Sequence, residues 1–325
     1  NHDGQETGNL GIHSRFERDL IERYEARLKV APAPPRPIAN VRDASFEILL
    51  GSHLLVDRIL AADKGAIAGK DTYDDDYFEK FFVKEGIDAS ATEGVVDTPY
   101  RLPNLQVSVH HPEVNVPVLW WRSVGNSHTA FVMETMIDEL ARAAQQDPIA
   151  YRLALLDPKH TRVRGVLQLV RDKSGWTGPV PKGRGRGVAV HESFGSIVAY
   201  VVEVSVDKDS IRVHKVTSVI DCGFAVNPLT VEAQVQSAMV FGLSAALHGQ
   251  ITLKDGVVQQ SNFADYPVLR LSEMPEISVH IVPSRADPSG VGEPGTPPIA
   301  PAVANAVFAL TGKRLRKLPF DLAQA

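Results

Sequence analysis

Gly290-Val291-Gly292-Glu293-Pro294-Gly295, followed by Thr296-Pro297-Pro298-Ile299-Ala300-Pro301-Ala302, crowds three glycines and a proline around one carboxylate. Glycine lets the backbone pass close to another group or take a positive φ, and Pro294 fixes the residue after the acid. Pro297 and Pro298 suit the first turn of a helix, where a missing N–H costs no hydrogen bond. The small-residue run 299–310 reads as that helix, with Gly312 as its C-cap. Glu293 is therefore expected on a stiff turn just ahead of a helix N-terminus, packed close against another element. From pattern alone the turn is either structural, its acid offsetting the helix dipole, or the seat of a working carboxylate.

The segment resembles the carboxyl-terminal signature of the molybdenum hydroxylase superfamily of xanthine dehydrogenase and aldehyde oxidase. The resemblance is to the molybdopterin-binding subunit of its isoquinoline 1-oxidoreductase-like branch. It runs from about Gly86 to the C-terminus, and residues 1–85 match poorly. It implies that Glu293, in the Gly-x-Gly-Glu-Pro turn, is the active-site base and that Gly292 lies against the cofactor.

The 325 residues suffice for a substantial core, and a formal net charge of −5 argues against a nucleic-acid footprint. No apolar run reaches bilayer-spanning length, and no signal-peptide pattern is present. The chain starts at Asn1, which reads as a processed start or as one piece of a larger polypeptide or complex. The single cysteine, Cys222, supports neither an internal disulfide framework nor a cysteine-ligated iron–sulfur cluster within this chain. The compartment, bacterial cytoplasm or periplasm, stays open.

Phe16 to Leu28 reads as a charged amphipathic helix, 31–37 as a proline-rich strap, and 44–62 as a further helix from its apolar spacing. Asp74-Asp75-Asp76 reads as a solvated loop. Leu102 to His110 alternates as a strand does, and Val116 to Trp121 is short and apolar. A helix follows with Phe131, Met133, Ile137, Leu140 and Ala144 on its buried side and Glu134, Asp138 and Arg142 among its polar positions. Asp147-Pro148 caps the next helix and Val163 to Lys173 forms a third. Ile197 to Val206 and Ile211 to Ile220 read as a hairpin. Asn227-Pro228 opens a helix to Leu247, residues 251–259 form a second hairpin around Asp255-Gly256, and Glu276 to Val282 is a strand. The expected class is α+β, with mixed or antiparallel sheets and packed helices. Three regions are expected: 1–95, with helices and the strap; 96–185, a strand and helices; and 186–325, the α+β part carrying Glu293.

Trp120-Trp121-Arg122-Ser123-Val124-Gly125 places an arginine between tryptophans and a helix N-terminus. It would bind an anion or polarise a carbonyl, or it would simply stack on Trp120 or Trp121. The resemblance places Arg122 and Gly125 beside the molybdenum, with backbone N–H groups toward the cofactor's oxygens. His128 reads as a buried capping histidine. Residues 185–196 form a glycine-rich stretch without the Lys-Ser/Thr of a P-loop. His191-Glu192 lacks the second histidine of a zinc-protease helix. The resemblance places Phe194, Gly195 and Ser196 near the cofactor and brings Gln234 to the pyranopterin. Gln236 and Ser237 depart from the commoner Glu-Gly. Cys222 has no identifiable histidine base and reads as a buried thiol.

The chemistry implied by the resemblance is hydroxylation of an electrophilic carbon, in an aromatic N-heterocycle or an aldehyde, with water as oxygen donor. Glu293 serves as base and Arg122 assists. The cofactor is molybdopterin, in its plain or cytosine dinucleotide form, and the pterin rather than the protein holds the metal. Trp120, Trp121 and Phe194 would line a flat pocket that favours the heterocycle. The family's Gly-Gln-Gly cofactor loop is missing, so a second molybdopterin-binding chain, or an upstream part of the same polypeptide, is expected. A 2Fe–2S subunit and a cytochrome or flavin acceptor would carry the electrons onward. The alternative is a non-catalytic scaffold that completes a partner's cofactor pocket; a hydrolase lacks its nucleophile elbow here.

Overall fold

The computed structural model describes residues 45–51, 83–84, 87–110 and 121–324. The expected helix at 16–28, the proline strap, the Asp74–Asp76 loop, all of 52–62 and Trp120 lie outside these residues. The elements, in order, are β1 (Ser45–Gly51), β2 (Val83–Lys84), β3 (Ile87–Asp88), β4 (Asn104–His110), α1 (Asn126–Ala143), α2 (Pro148–Leu155) and α3 (Thr161–Ser174). Then come β5 (Gly185–Ser193), β6 (Ser196–Asp207), β7 (Ser210–Asp221), α4 (Pro228–Leu247), β8 (Leu253–Lys254), β9 (Val257–Val258), β10 (Glu276–Ile281) and α5 (Ile299–Thr311).

The centre is a four-stranded sheet in the order β10-β7-β6-β5. β5, β6 and β7 form an antiparallel meander, and β10 joins β7 in parallel after the α4 crossover. Both faces are covered, which is why β6 is an almost unbroken apolar run. Ile197, Ala199 and Val201 face a core shared with α1, α2 and α3. Their neighbours Val198, Tyr200 and Val202 face a second core with α4 and α5. This two-residue alternation assigns each side chain to a layer. The expected α+β class, with a mixed sheet and packed helices, is what the chain adopts.

Local signals behave as their chemistry requires. Asp147 Oδ1 accepts from the N–H groups of Ile149 (3.0 Å) and Ala150 (2.9 Å), capping α2. Asn227 caps α4 through Thr230 N–H at 3.2 Å. Gly175 and Gly312 end α3 and α5 in the left-handed conformation.

Three expectations are corrected. Residues 45–51, expected within a helix, form a strand paired in parallel with β4. Their apolar spacing suits a helix, but pairing with a distant strand decides the conformation. Residues 185–193, taken as a glycine-rich stretch, are the edge strand β5. Its glycines are there for proximity: a Cβ on Gly187 would lie 2.2 Å from Ala306 N and 2.3 Å from Ala302 O. α5 therefore rests directly on the strand backbone. Glu134 and Asp138, expected on the polar side of α1, are buried. Glu134 accepts from Tyr100 Oη (2.6 Å), Arg152 Nε (2.9 Å) and Val190 N–H (3.0 Å), pinning α1 to α2 and β5.

Candidate active site

Glu293 projects from the turn between β10 and α5, and the turn is tied down along its length. Four of its carbonyls accept from side chains of other elements: Gly290 O from Ser196 Oγ (2.6 Å), Gly292 O from Arg122 Nε (3.0 Å), Glu293 O from Ser123 Oγ (2.8 Å) and Gly295 O from Tyr200 Oη (2.8 Å). Arg122 Nη2 also donates to Gly292 O. Burial drives the Tyr200 phenol far above its ordinary range, so it remains a donor. The glycines serve these approaches: a Cβ on Gly295 would meet Tyr200 Oη at 2.8 Å. Gly242 in α4 does the same for Thr296 and Ile299.

The carboxylate is half-buried. Its Oε2 accepts the Ser123 backbone N–H at 2.8 Å. Among the described residues Oε1 has no hydrogen-bond partner. The donor comes from a loop in which Ser123 and Val124 both take positive φ, 78° and 50°. Side chains rarely adopt this conformation, and it turns the Ser123 N–H toward Glu293. Gly125 closes the loop where a Cβ would collide with Ser90 O, so its requirement is one of packing.

Arg122 is brought to Glu293, as expected of one site, but its guanidinium does not face an open anion position. Two of its N–H groups converge on Gly292 O, a third reaches Ser237 Oγ at 3.5 Å, and the cation lies 5.3 Å from the Phe241 ring centroid. Among the described residues the ring under the guanidinium is Phe241 rather than Trp121, and Trp121 itself packs on Phe241 with centroids 4.7 Å apart. These groups border a cavity of about 510 Å³ walled by Trp121, Phe241, Tyr266 and Leu269 among others.

Phe194 and Gly195 form the two-residue turn of the β5–β6 hairpin, both with positive φ. Phe194 lies at its tip against Gly290, away from that cavity. Trp121 thus borders that cavity and Phe194 does not. Ser196 is spent on Gly290 O and Ser289. Gln234 is delivered by α4 to the same turn, its Oε1 3.8 Å from where a Gly292 Cβ would sit. Its amide has no partner among the described residues. His128 is half-buried near the start of α1.

Several contributors carry no local sequence signal. Tyr200 and Ser123 reveal themselves only through their partners. Arg162 grips Asp221 with two bonds (3.0 and 2.9 Å) and donates to Gly195 O (3.1 Å), bracing the hairpin tip. Burial works against the Asp221 carboxylate, but the Arg162 guanidinium and the Gly223 N–H outweigh it and lower its pKa. His191 is buried and its pKa falls to about 4 through desolvation, so it is a neutral imidazole bonded to Asn126 Oδ1 at 2.7 Å.

Comparisons with known proteins fit this arrangement. The family model of the molybdopterin cofactor-binding domain matches residues 127–275. The chain is 33% identical over 231 residues to the beta subunit of isoquinoline 1-oxidoreductase from Brevundimonas diminuta, covering 70% of this chain and 29% of that protein. It is 32% identical over 242 residues to a nicotinate dehydrogenase subunit of Pseudomonas putida, covering 68% and 20%. The chain thus spans less than a third of the length of these relatives. The crystal structure of quinoline 2-oxidoreductase from Pseudomonas putida 86 shares the fold, with a TM-score of 0.61 at 12% identity over 71% of this chain and 55% of that one. A turn, an arginine loop and a glutamine helix meeting on this fold, together with these matches, show that the chain belongs to the molybdenum hydroxylase superfamily of xanthine dehydrogenase and aldehyde oxidase, in its isoquinoline 1-oxidoreductase-like branch.

Proposed function

We propose that this chain supplies the base-bearing part of a molybdenum-dependent hydroxylase or dehydrogenase that oxidises an electrophilic carbon of an aromatic N-heterocycle or an aldehyde. The observation that carries this reading is the state of Glu293. One carboxylate oxygen is fixed by a backbone N–H, and among the described residues the other has no partner. A carboxylate held this way keeps its orientation while one oxygen is available to take a proton.

The residues present suit molybdopterin. Gln234 offers an unpaired neutral amide beside Gly292, where the backbone has no side chain in the way, and such a group can both donate to and accept from a pterin ring. In this reading the pterin, and not a protein side chain, holds the metal. Bound, the cofactor would supply the oxygen-transfer and redox chemistry. Gln234 would orient it, and Glu293 would accept the proton at its free oxygen. The remaining cofactor contacts would come from a second molybdopterin-binding region, and a 2Fe–2S partner would pass electrons to a cytochrome or flavin. The cytosine dinucleotide form of the cofactor belongs to the same proposal. The names of the relatives include both kinds of substrate, isoquinoline and nicotinate on one side and aldehydes on the other.

The test is Glu293→Gln in the full assembly. Amide and carboxylate have the same shape, so molybdenum and pterin content should stay at the wild-type level while turnover falls by at least ~10². Near-normal turnover with full metal loading would leave the scaffold reading instead.

A further inference from the structure

We infer that Arg122 and Ser123 are positioning residues that together clamp Glu293, an inference that rests on Glu293 being the base. Gly292 O belongs to the peptide that carries the Glu293 N–H. The two N–H groups of Arg122 on that oxygen therefore fix the peptide plane on the N-terminal side of the Glu293 Cα. Ser123 Oγ on Glu293 O fixes the plane on the C-terminal side. Ser123 N–H on Oε2 fixes the side chain. Both backbone planes and the carboxylate of one residue are thus set by two consecutive residues that lie 170 positions away in the chain.

The clamp itself is held in shape. The left-handed backbone at Ser123 and Val124 lets the Arg122 side chain, the Ser123 hydroxyl and the Ser123 N–H reach the same turn. Gly125, tight against Ser90, and Asn126, donating to Glu93 Oε2 at 3.0 Å and bonded to His191, anchor the far side of the loop. Phe241 lies under the guanidinium and limits its swing. Only a planar fork can place two parallel N–H groups on one carbonyl while lying over a ring; an ammonium cannot. The demand for such precision is chemical, since a base displaced by about 1 Å from its proton can lose ~10² in rate.

The experiment uses the full assembly and compares Arg122→Ala, Arg122→Lys, Ser123→Ala and Glu293→Gln, with turnover expressed per bound molybdenum. Arg122→Ala is expected to lower kcat by ~10-fold or more while KM, melting temperature and molybdenum content change little. Arg122→Lys should restore little of that loss. Because Arg122 borders the open cavity of about 510 Å³, methylguanidinium can reach the vacated position and should restore part of kcat in Arg122→Ala but none in Glu293→Gln. Ser123→Ala keeps the backbone donor and loses only the bond to Glu293 O, so a smaller fall in kcat at unchanged KM is expected. Wild-type turnover in Arg122→Ala overturns the clamp. So does a loss in Arg122→Ala that methylguanidinium leaves unchanged while Ser123→Ala turns over normally. Should Arg122→Ala fail to fold, Ser123→Ala alone decides, and normal kcat there overturns the inference. Normal turnover in Glu293→Gln would instead remove the base assignment on which the clamp rests.

Discussion

Glu134→Gln replaces one atom of a buried carboxylate, and the fold predicts an effect far larger than that change suggests. The Glu134 and Arg152 side chains are 1% and 0% exposed, and their N–O distance is 2.9 Å. The carboxylate also accepts from Tyr100 Oη and Val190 N–H, so three donors converge on it. Glutamine keeps one acceptor oxygen and turns an NH2 group toward at least one of those donors. Arg152 retains the carbonyls of Pro148 and Glu134, at 3.1 and 2.9 Å, but loses the carboxylate bonded to it. Leaving a buried charge uncompensated costs ~3–5 kcal/mol, and the retained carbonyls place this case near the lower end, at ~3–4 kcal/mol. For a domain of this size that corresponds to a fall of ~6–16 °C in melting temperature. Thermal unfolding of the variant beside wild type, at neutral pH and matched cofactor content, measures it directly. A change below ~1 kcal/mol would refute the reasoning, because it would mean that the pair is neither buried nor needed to satisfy the donors around it.

Other outcomes follow from the same packing. His191 has a folded-state pKa of about 4 against an ordinary 6.5, so the unfolded chain takes up a proton that the folded one refuses. Stability is therefore unaffected by this group above pH 6.5 and falls by roughly 3 kcal/mol as pH drops from 6.5 to 4. His191→Gln should flatten that part of the stability–pH curve, and a slope equal to wild type counts against a buried neutral imidazole. The depressed Asp221 carboxyl acts in a separate window, losing its contribution only as pH falls below its ordinary value of 3.8 toward its folded pKa. Gly187→Ala drives a Cβ into the α5 backbone and should destabilise by ~1–3 kcal/mol or more. Gly165→Ala, within α3 and with open space around it, should stabilise by up to ~1 kcal/mol. Chemical denaturation of the two alanine variants side by side checks the contrast, and equal effects would contradict the close approach.

The sequence by itself determined whatever depends on neighbours along the chain. The caps at Asp147 and Asn227, the β6–β7 hairpin, the glycine at the end of α5 and the stiff turn around Glu293 are all local chemistry, so their signals lie within a few residues. Tertiary structure decided whatever depends on a partner far along the chain. Gly185 and Gly187 look like loop residues until α5 lies on them, and Glu134 looks like a surface acid until Tyr100, Arg152 and Val190 converge on it. Residues 45–51 carry apolar spacing that suits a helix, yet pairing with β4 makes them a strand. Arg122 shows the division most clearly. Its charge and its place in Arg-Ser-Val-Gly mark it as a site residue, but a guanidinium can bind an anion, stack on a ring or hold a carbonyl with equal ease. Which of these it does is set by the arrival of Gly292 and Phe241 from other elements, and no local pattern encodes that meeting.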